Sequence, residues 1–339
     1  MIQGHGDDTY KYDKVSVNFS SNIYNHFDHA GLFAHLAGKL PCITNYPEPT
    51  PGRLERKLAG HMGVEAANVM VTNGATEAIY LIAQAFQGRL SHILQPTFAE
   101  YADACTIHHH DVHSITSLDS LFTDNKEKTS GLVWLCNPNN PTGGVISHED
   151  IIHTINRHNG KIFVIDQSYA HYTSLRLLTI QEAVQRNNTL IIRSMTKDYA
   201  IPGLRLGYVV GPTDIIEDLR RIRMPWSVNQ LAIEAGLYLL DHTHDYVINA
   251  GTLCEERQRM EKELQQMNIK VAHSDSNMLL CLLPKSDAAT LKKYLATTHG
   301  ILIRDASNFR LLSTRHFRIA IQTPQENDLL INALHQWIH

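Results

Sequence analysis

Four short stretches carry reactive and charged side chains in an order that suits one reaction centre. Ser194-Met195-Thr196-Lys197 follows an apolar strand, with Gly203, Arg205 and Gly207 close behind. A lysine at a strand end, beside a serine and an arginine, suits a Schiff base formed next to an anion site. Asp166 closes a second apolar run, Ile162–Ile165, and Tyr169 follows three residues later. A carboxylate there is either a helix cap or the partner of a buried cation. The stretch Cys136-Asn137-Pro138-Asn139-Asn140-Pro141-Thr142-Gly143-Gly144 has two Asn-Pro steps. Each favours extended backbone at the residue before proline, so the loop holds Asn140 rigidly. Lastly, Val71-Thr72-Asn73-Gly74-Ala75-Thr76-Glu77 passes from strand to helix through small residues. The free N–H groups of such a helix start, with its dipole, cradle a phosphate. Taken one at a time, Lys197 and Arg205 also read as surface charges and Asp166 as a cap.

The elements around these stretches alternate. Val69–Thr72, Ile93–Gln95, Gly131–Cys136, Lys161–Ile165 and Leu190–Ser194 are strand-like, several ending at Asn, Asp or Gly. That is the edge at which a parallel sheet presents its ligand site. Thr76–Phe86 and, more weakly, Glu149–Asn156 have helical spacing. Strand and helix in alternation predict an α/β fold with a mostly parallel, doubly wound mixed sheet flanked by helices. Beyond about residue 240 the texture changes. A charged helix over His244–Met267 leads to strands at Met278–Leu283, Ile301–Ile303 and His316–Ile321 and to a closing helix, the pattern of a smaller α+β unit. The expected division is a large domain over 38–240, with an N-terminal arm, 1–37, and a small domain, 241–339. No strand pattern is read in the first 40 residues.

Composition narrows the function classes. The chain has 339 residues, 43% hydrophobic and 19% charged, with 30 Lys+Arg against 34 Asp+Glu. It lacks the basic excess of a nucleic-acid binder. No apolar run approaches the ~18 residues of a membrane span, and Met1–Tyr12 does not read as a signal peptide. The five cysteines, Cys42, Cys105, Cys136, Cys254 and Cys281, show no CxxC spacing. They predict reduced thiols in a cytoplasmic protein. Among 21 histidines, the triplet His108-His109-His110 is expected to be solvated surface rather than a metal site, because metal sites need convergent ligands. Neither GxGxxG nor GxxxxGK[ST] is present.

Together, the four stretches describe pyridoxal phosphate. That cofactor needs a lysine, a carboxylate on its pyridine nitrogen, a phosphate cradle, donors to its phenolic oxygen and an aromatic over its ring. Over nearly its whole length the sequence resembles the fold-type I aminotransferases, class I/II. The resemblance implies Lys197 as the Schiff-base lysine, Asp166 on the pyridine nitrogen, and Asn140 and Tyr169 at the phenolic oxygen. Gly74, Ala75, Thr76, Ser194 and Arg205 would hold the phosphate, and Phe98, in Pro96-Thr97-Phe98-Ala99-Glu100-Tyr101, would stack on the ring. Tyr46, in Asn45-Tyr46-Pro47, would reach the phosphate from a second copy in a homodimer.

A narrower resemblance is to the threonine-phosphate decarboxylases of cobalamin biosynthesis. It rests on Gly4-His5-Gly6, Phe19-Ser20-Ser21-Asn22, Ala200 to Tyr208, Met224-Pro225-Trp226-Ser227-Val228-Asn229, Ile301 to Arg304 and Arg315 to Ile321. It implies Arg318 at a substrate carboxylate, Arg304, His5 and Gly6 at a substrate phosphate, and Asn22 and Asn140 at the amino acid. Two anionic groups call for the bidentate forks of arginine. The sequence departs from the pattern at Gln167-Ser168, and at Gln322, where an arginine is expected and whose absence would weaken the anion pocket. Histidinol-phosphate aminotransferases share most of these residues and provide the alternative activity. A sensor half of a transcription regulator is disfavoured, since no basic patch is present.

Overall fold

The computed structural model describes residues 6–123 and 130–338 of the chain. Among the described residues, thirteen strands build three sheets: β1 (Val17–Asn18), β2 (Val69–Thr72), β3 (Leu90–Leu94), β4 (Asp111–Ile115), β5 (Gly131–Cys136), β6 (Ile162–Asp166), β7 (Thr189–Ser194), β8 (Gly207–Val210), β9 (Lys270–Val271), β10 (Met278–Leu282), β11 (Ile301–Leu302), β12 (Arg304–Asp305) and β13 (His316–Ala320). The largest sheet runs β2-β8-β7-β6-β5-β3-β4. Its strands pair in parallel, except for β8, which is antiparallel to both β2 and β7.

Every residue of β5 is buried, because helices cover both faces, as expected for a largely parallel sheet. Alternate residues feed opposite cores. Leu132 and Trp134 pack on one face with Met70, Val164 and Ile192. Val133 and Leu135 pack on the other with Val71, Phe163 and Ile191. Because β6 and β7 run in parallel, their last residues, Asp166 and Ser194, come to the same edge of the sheet.

The C-terminal part forms an antiparallel sheet, β12-β13-β10-β9, and β1 pairs in parallel with β11. The N-terminal segment therefore contains a strand that the sequence reading omitted. Two residues are too short to show periodicity, and β1 exists through its tertiary partner. Strands β4 and β8 were also missing from that reading. The first is a polar edge strand, exposed at Asp111; the second is four residues opening on Gly207. The helix expected from His244 starts instead at Ala250, where Asn249 Oδ1 accepts the Thr252 N–H at 3.1 Å as an N-cap.

One histidine of the triplet departs from the surface expectation. His110 is buried, with Nδ1 2.8 Å from Ser91 Oγ and Nε2 2.8 Å from the Ala83 carbonyl. Among the described residues no His, Cys, Asp or Glu side chains gather as a metal site. Among them, too, no helix is long and apolar enough to cross a membrane. All five cysteines are unpaired.

Candidate active site

A cavity of about 260 Å³ opens at the C-terminal edge of the large sheet. Residues from distant parts of the sequence converge on it: Asn22, Ala75, Thr76, Phe98, Asn140, Asp166, Tyr169, Ser194, Lys197, Arg205, Arg304 and Arg318. Gly6 also lines it, whereas His5 lies outside the described residues.

Lys197 sits in a single helical turn immediately after β7. Its Nζ donates to the Ser21 carbonyl at 2.8 Å and stands 5.8 Å from the centre of the Tyr169 ring. Burial, then the charge of Arg318, pushes its pKa down to about 7; Arg205 adds to this, and Asp7 and Asp166 oppose it. A large share of the amine is thus unprotonated near neutrality. Asp166 is buried at the end of β6. Its Oδ2 accepts the Tyr101 hydroxyl at 2.7 Å, and its Oδ1 accepts the Ser168 N–H at 2.9 Å and hydroxyl at 2.6 Å. Burial raises this carboxyl above its ordinary value, against those hydrogen bonds and Lys197.

The stretch expected to cradle a phosphate opens the helix Gly74–Ala85. Gly74 has φ +78, and a Cβ there would fall 2.7 Å from Arg205 Nη2. The guanidinium therefore lies over the helix start, whose first N–H groups are free. Thr196, between Ser194 and Lys197, has a buried hydroxyl with no hydrogen-bond partner.

On the opposite wall, Asn22 Nδ2 donates to the Tyr169 hydroxyl at 3.0 Å. Arg318 Nη1 donates to Asn140 Oδ1, and Nη2 donates to the Ser20 carbonyl at 2.7 Å. Burial lowers the pKa of Arg318 to about 9, and Arg304 adds to the shift by like charge. Arg304 Nη2 donates to Asn308 Oδ1 at 2.8 Å, and its guanidinium lies 5.4 Å from the centre of the Phe309 ring. Phe98 meets Tyr101 edge-on at 5.8 Å.

Tyr46 is not part of this cavity. It is 86% exposed, with its ring 5.4 Å from that of Trp226. Gln322 does not line the cavity either. It is buried, its Nε2 donates to the Ile23 carbonyl at 3.1 Å, and its Oε1 is 3.2 Å from His26 Nε2. The expected loss of anion affinity from Gln322 therefore has no basis in the cavity wall; the side chain holds the N-terminal segment instead.

Sequence reasoning assigned no role to Tyr101, Ser168, Thr196 or Asn308. Ser168, two residues beyond Asp166, follows the side-chain-to-backbone turn pattern and was legible. The Ser20 and Ser21 carbonyls carry no side-chain signal at all.

The donor set fits pyridoxal phosphate. Thr196 Oγ1, Asn22 Oδ1 and Arg318 Nε are buried on cavity-lining residues without partners, a cost that a polar ligand removes. Residues 14–334 match the family described as aminotransferase class I and II, and the chain belongs to it. It is a pyridoxal-phosphate-dependent enzyme of the aminotransferase-like superfamily with the fold-type I architecture. The chain is 33% identical to a histidinol-phosphate aminotransferase of Caldanaerobacter subterraneus, over 87% of this chain and 84% of that protein. It is 30% identical to the threonine-phosphate decarboxylase of Salmonella typhimurium, over 94% and 90%. The crystal structure of L-threonine-O-3-phosphate decarboxylase from Porphyromonas gingivalis superposes with a TM-score of 0.91 at 37% identity, covering 95% of this chain and 99% of that one.

Proposed function

We propose that the chain decarboxylates L-threonine O-3-phosphate to (R)-1-amino-2-propanol O-2-phosphate and CO2, a step toward cobalamin. The observation that carries this reading is the pairing of Arg304 with Arg318 across β12 and β13, both buried and both facing the cavity of Lys197. Two desolvated guanidinium groups side by side suit a small substrate with two anionic groups. The similarity to the Porphyromonas gingivalis enzyme supports it.

In this reading Asp166 would hold the pyridine nitrogen, and Asn140 and Tyr169 the phenolic oxygen. Gly74, Ala75, Thr76, Ser194, Thr196 and Arg205 would hold the phosphate, with Phe98 over the ring. When bound, pyridoxal phosphate supplies the sink for the electron pair released at the substrate α-carbon. Lys197, with its depressed pKa, takes up and returns a proton at Nζ. Arg318 binds the substrate carboxylate, Arg304 and His5 bind the phosphate beside Gly6, and Asn22 fixes Tyr169. Clamping both anionic ends selects which bond at the α-carbon breaks. Large and small domains meeting near residue 240, and a cytoplasmic location, complete the reading.

A histidinol-phosphate aminotransferase is the second reading, favoured by relatives at 33–34% identity. Histidinol phosphate carries only one anionic group, and its turnover needs a keto acid. CO2 released from L-threonine O-3-phosphate without any keto acid supports decarboxylation. Keto-acid-dependent turnover of histidinol phosphate with no CO2 overturns it.

The active unit is proposed to be a homodimer, in which Tyr46 reaches the cofactor phosphate of a second copy. Tyr46 sits in an exposed apolar patch with Met224, 71% exposed, and Trp226, 49% exposed, as expected of a protein interface. Mixing Tyr46→Phe with Lys197→Ala subunits would create sites of mixed composition. Activity strictly proportional to intact subunits would count against a shared site.

A further inference from the structure

We infer that the buried ion pair Asp8–Lys292 positions Gly6 and Asp7 as a wall of the active-site cavity, making Asp8 and Lys292 positioning residues for the phosphorylated end of the substrate. This rests on the reading above only in taking a phosphorylated compound to bind at Arg304, which both activities require.

Lys292 belongs to the helix Ala288–Tyr294. Its Nζ lies 2.7 and 2.8 Å from the two carboxylate oxygens of Asp8. The side chains are only 10% and 8% exposed, and the residues are 284 positions apart in the chain. Burial alone would raise the Asp8 carboxyl, yet Lys292 and Lys11 hold it below its ordinary value. Lys11 lies on the solvent side, 3.3 Å away and half-exposed. Desolvating two charges returns little stability, and fixing one arrangement of the chain is the best-attested use of such a pair.

What the pair fixes can be followed atom by atom. The Asp7 N–H donates to Ser20 Oγ at 3.1 Å, and Asn18 Nδ2 donates to Asp7 Oδ1. Asp7 holds φ +62, a conformation uncommon outside glycine. Gly6 packs so closely that a Cβ on it would fall 3.0 Å from the Ser20 carbonyl oxygen and 3.2 Å from Arg304 Cδ. Ser20 O in turn accepts Arg318 Nη2. A continuous run of contacts therefore leads from Lys292 through Asp8, Asp7 and Gly6 to the stem of Arg304, while Arg318 is also held independently by Asn140. Asn308 and Phe309 hold Arg304 from its other side.

The test uses the holoenzyme and follows the change in its visible absorbance in the first moments after mixing with O-phospho-L-threonine, before turnover, and on titration with L-threonine. Hydrogen exchange of the amides of residues 7–20 is measured alongside. Lys292→Met is expected to weaken O-phospho-L-threonine binding at least tenfold and to speed exchange in that segment. Cofactor and L-threonine affinity should stay within twofold, and Lys292→Arg should restore both readouts. The double variant Asp8→Asn/Lys292→Met strands no buried charge, so it keeps the test open should the single variant fail to fold. Unchanged O-phospho-L-threonine affinity in either folded variant overturns the inference. So does an equal loss for L-threonine. If the wild type ignores O-phospho-L-threonine but binds histidinol phosphate, the decarboxylase reading has failed, and the same comparison on histidinol phosphate decides the role of the pair. Wild-type binding of neither phosphorylated compound removes both.

Discussion

Arg304 and Arg318 are direct cross-strand partners on β12 and β13, and their hydrogen bonds go to neutral acceptors: Asn308, Asn140 and the Ser20 carbonyl. Like charges directly opposite one another destabilise a strand pair, a cost that a bound anion would offset. With pyridoxal phosphate bound, inorganic phosphate should raise the thermal midpoint of the wild type, by the equivalent of ~2.7 kcal/mol at a hundred times its Kd. Arg304→Met should stabilise the anion-free protein by about 0.2–1 kcal/mol and lose the response to phosphate. Calorimetry with and without phosphate measures both; a less stable variant that still responds would refute the account.

Removing the Tyr101 hydroxyl takes one hydrogen bond from the buried Asp166 carboxylate. That carboxyl is already raised by burial, and Tyr101→Phe should raise it further. A hydrogen bond to a charged group contributes about 1.5–3 kcal/mol, so cofactor affinity should fall roughly 10- to 100-fold. Equilibrium titration with pyridoxal phosphate gives the number. Wild-type affinity in this variant would mean that Ser168 alone holds Asp166.

Lys197 gives the cofactor-free protein a specific pH dependence. The amine loses its proton near pH 7 in the folded chain against an ordinary value of 10.5. Between those values the unfolded chain binds the extra proton, so this group's contribution makes stability rise with pH; below pH 7 the whole cost of the buried ammonium remains. The slope is at most about 1.4 kcal/mol per pH unit. Urea unfolding of the wild type against Lys197→Met, from pH 6.5 to 10, should show the difference moving in favour of the wild type as pH rises. A difference independent of pH would place the lysine in ordinary solvent.

Gly74→Ala adds a methyl group where φ is +78 and Arg205 Nη2 would be 2.7 Å away. The backbone strain alone costs on the order of 1–3 kcal/mol, and Arg205 must leave the helix start. Cofactor affinity is expected to fall at least tenfold, alongside a lower thermal midpoint. Unaltered binding would show that the phosphate sits elsewhere.

The strands that position Asn140, Asp166 and Lys197 were legible because β5, β6 and β7 contain the short apolar runs Leu132–Leu135, Ile162–Ile165 and Leu190–Ile192, each followed closely by a chemistry-bearing segment. Their alternation with helices was enough to predict the sheet. Strands β1, β9 and β12, which were not read, have only two residues each, and so short a segment is set by its partner rather than by its own pattern. His110 read as solvated because adjacent histidines suggest surface, whereas its ring fills a polar gap between Ser91 and the Ala83 carbonyl. Arg304 and Arg318 were found by resemblance; their direct opposition is a register property that no local pattern contains.

The long-range pairing of the N-terminal segment has a consequence for biosynthesis. Asp8 leaves the ribosome 284 residues ahead of Lys292, and β1 likewise waits for β11. At roughly 5–20 residues per second, that is a delay on the order of 15–60 s. The strands and helices around Lys197 are complete before it ends. The large sheet, which closes only when β8 joins β2 to β7, is therefore synthesised in full well before the first residues of the chain have the partner that seats them against the cavity.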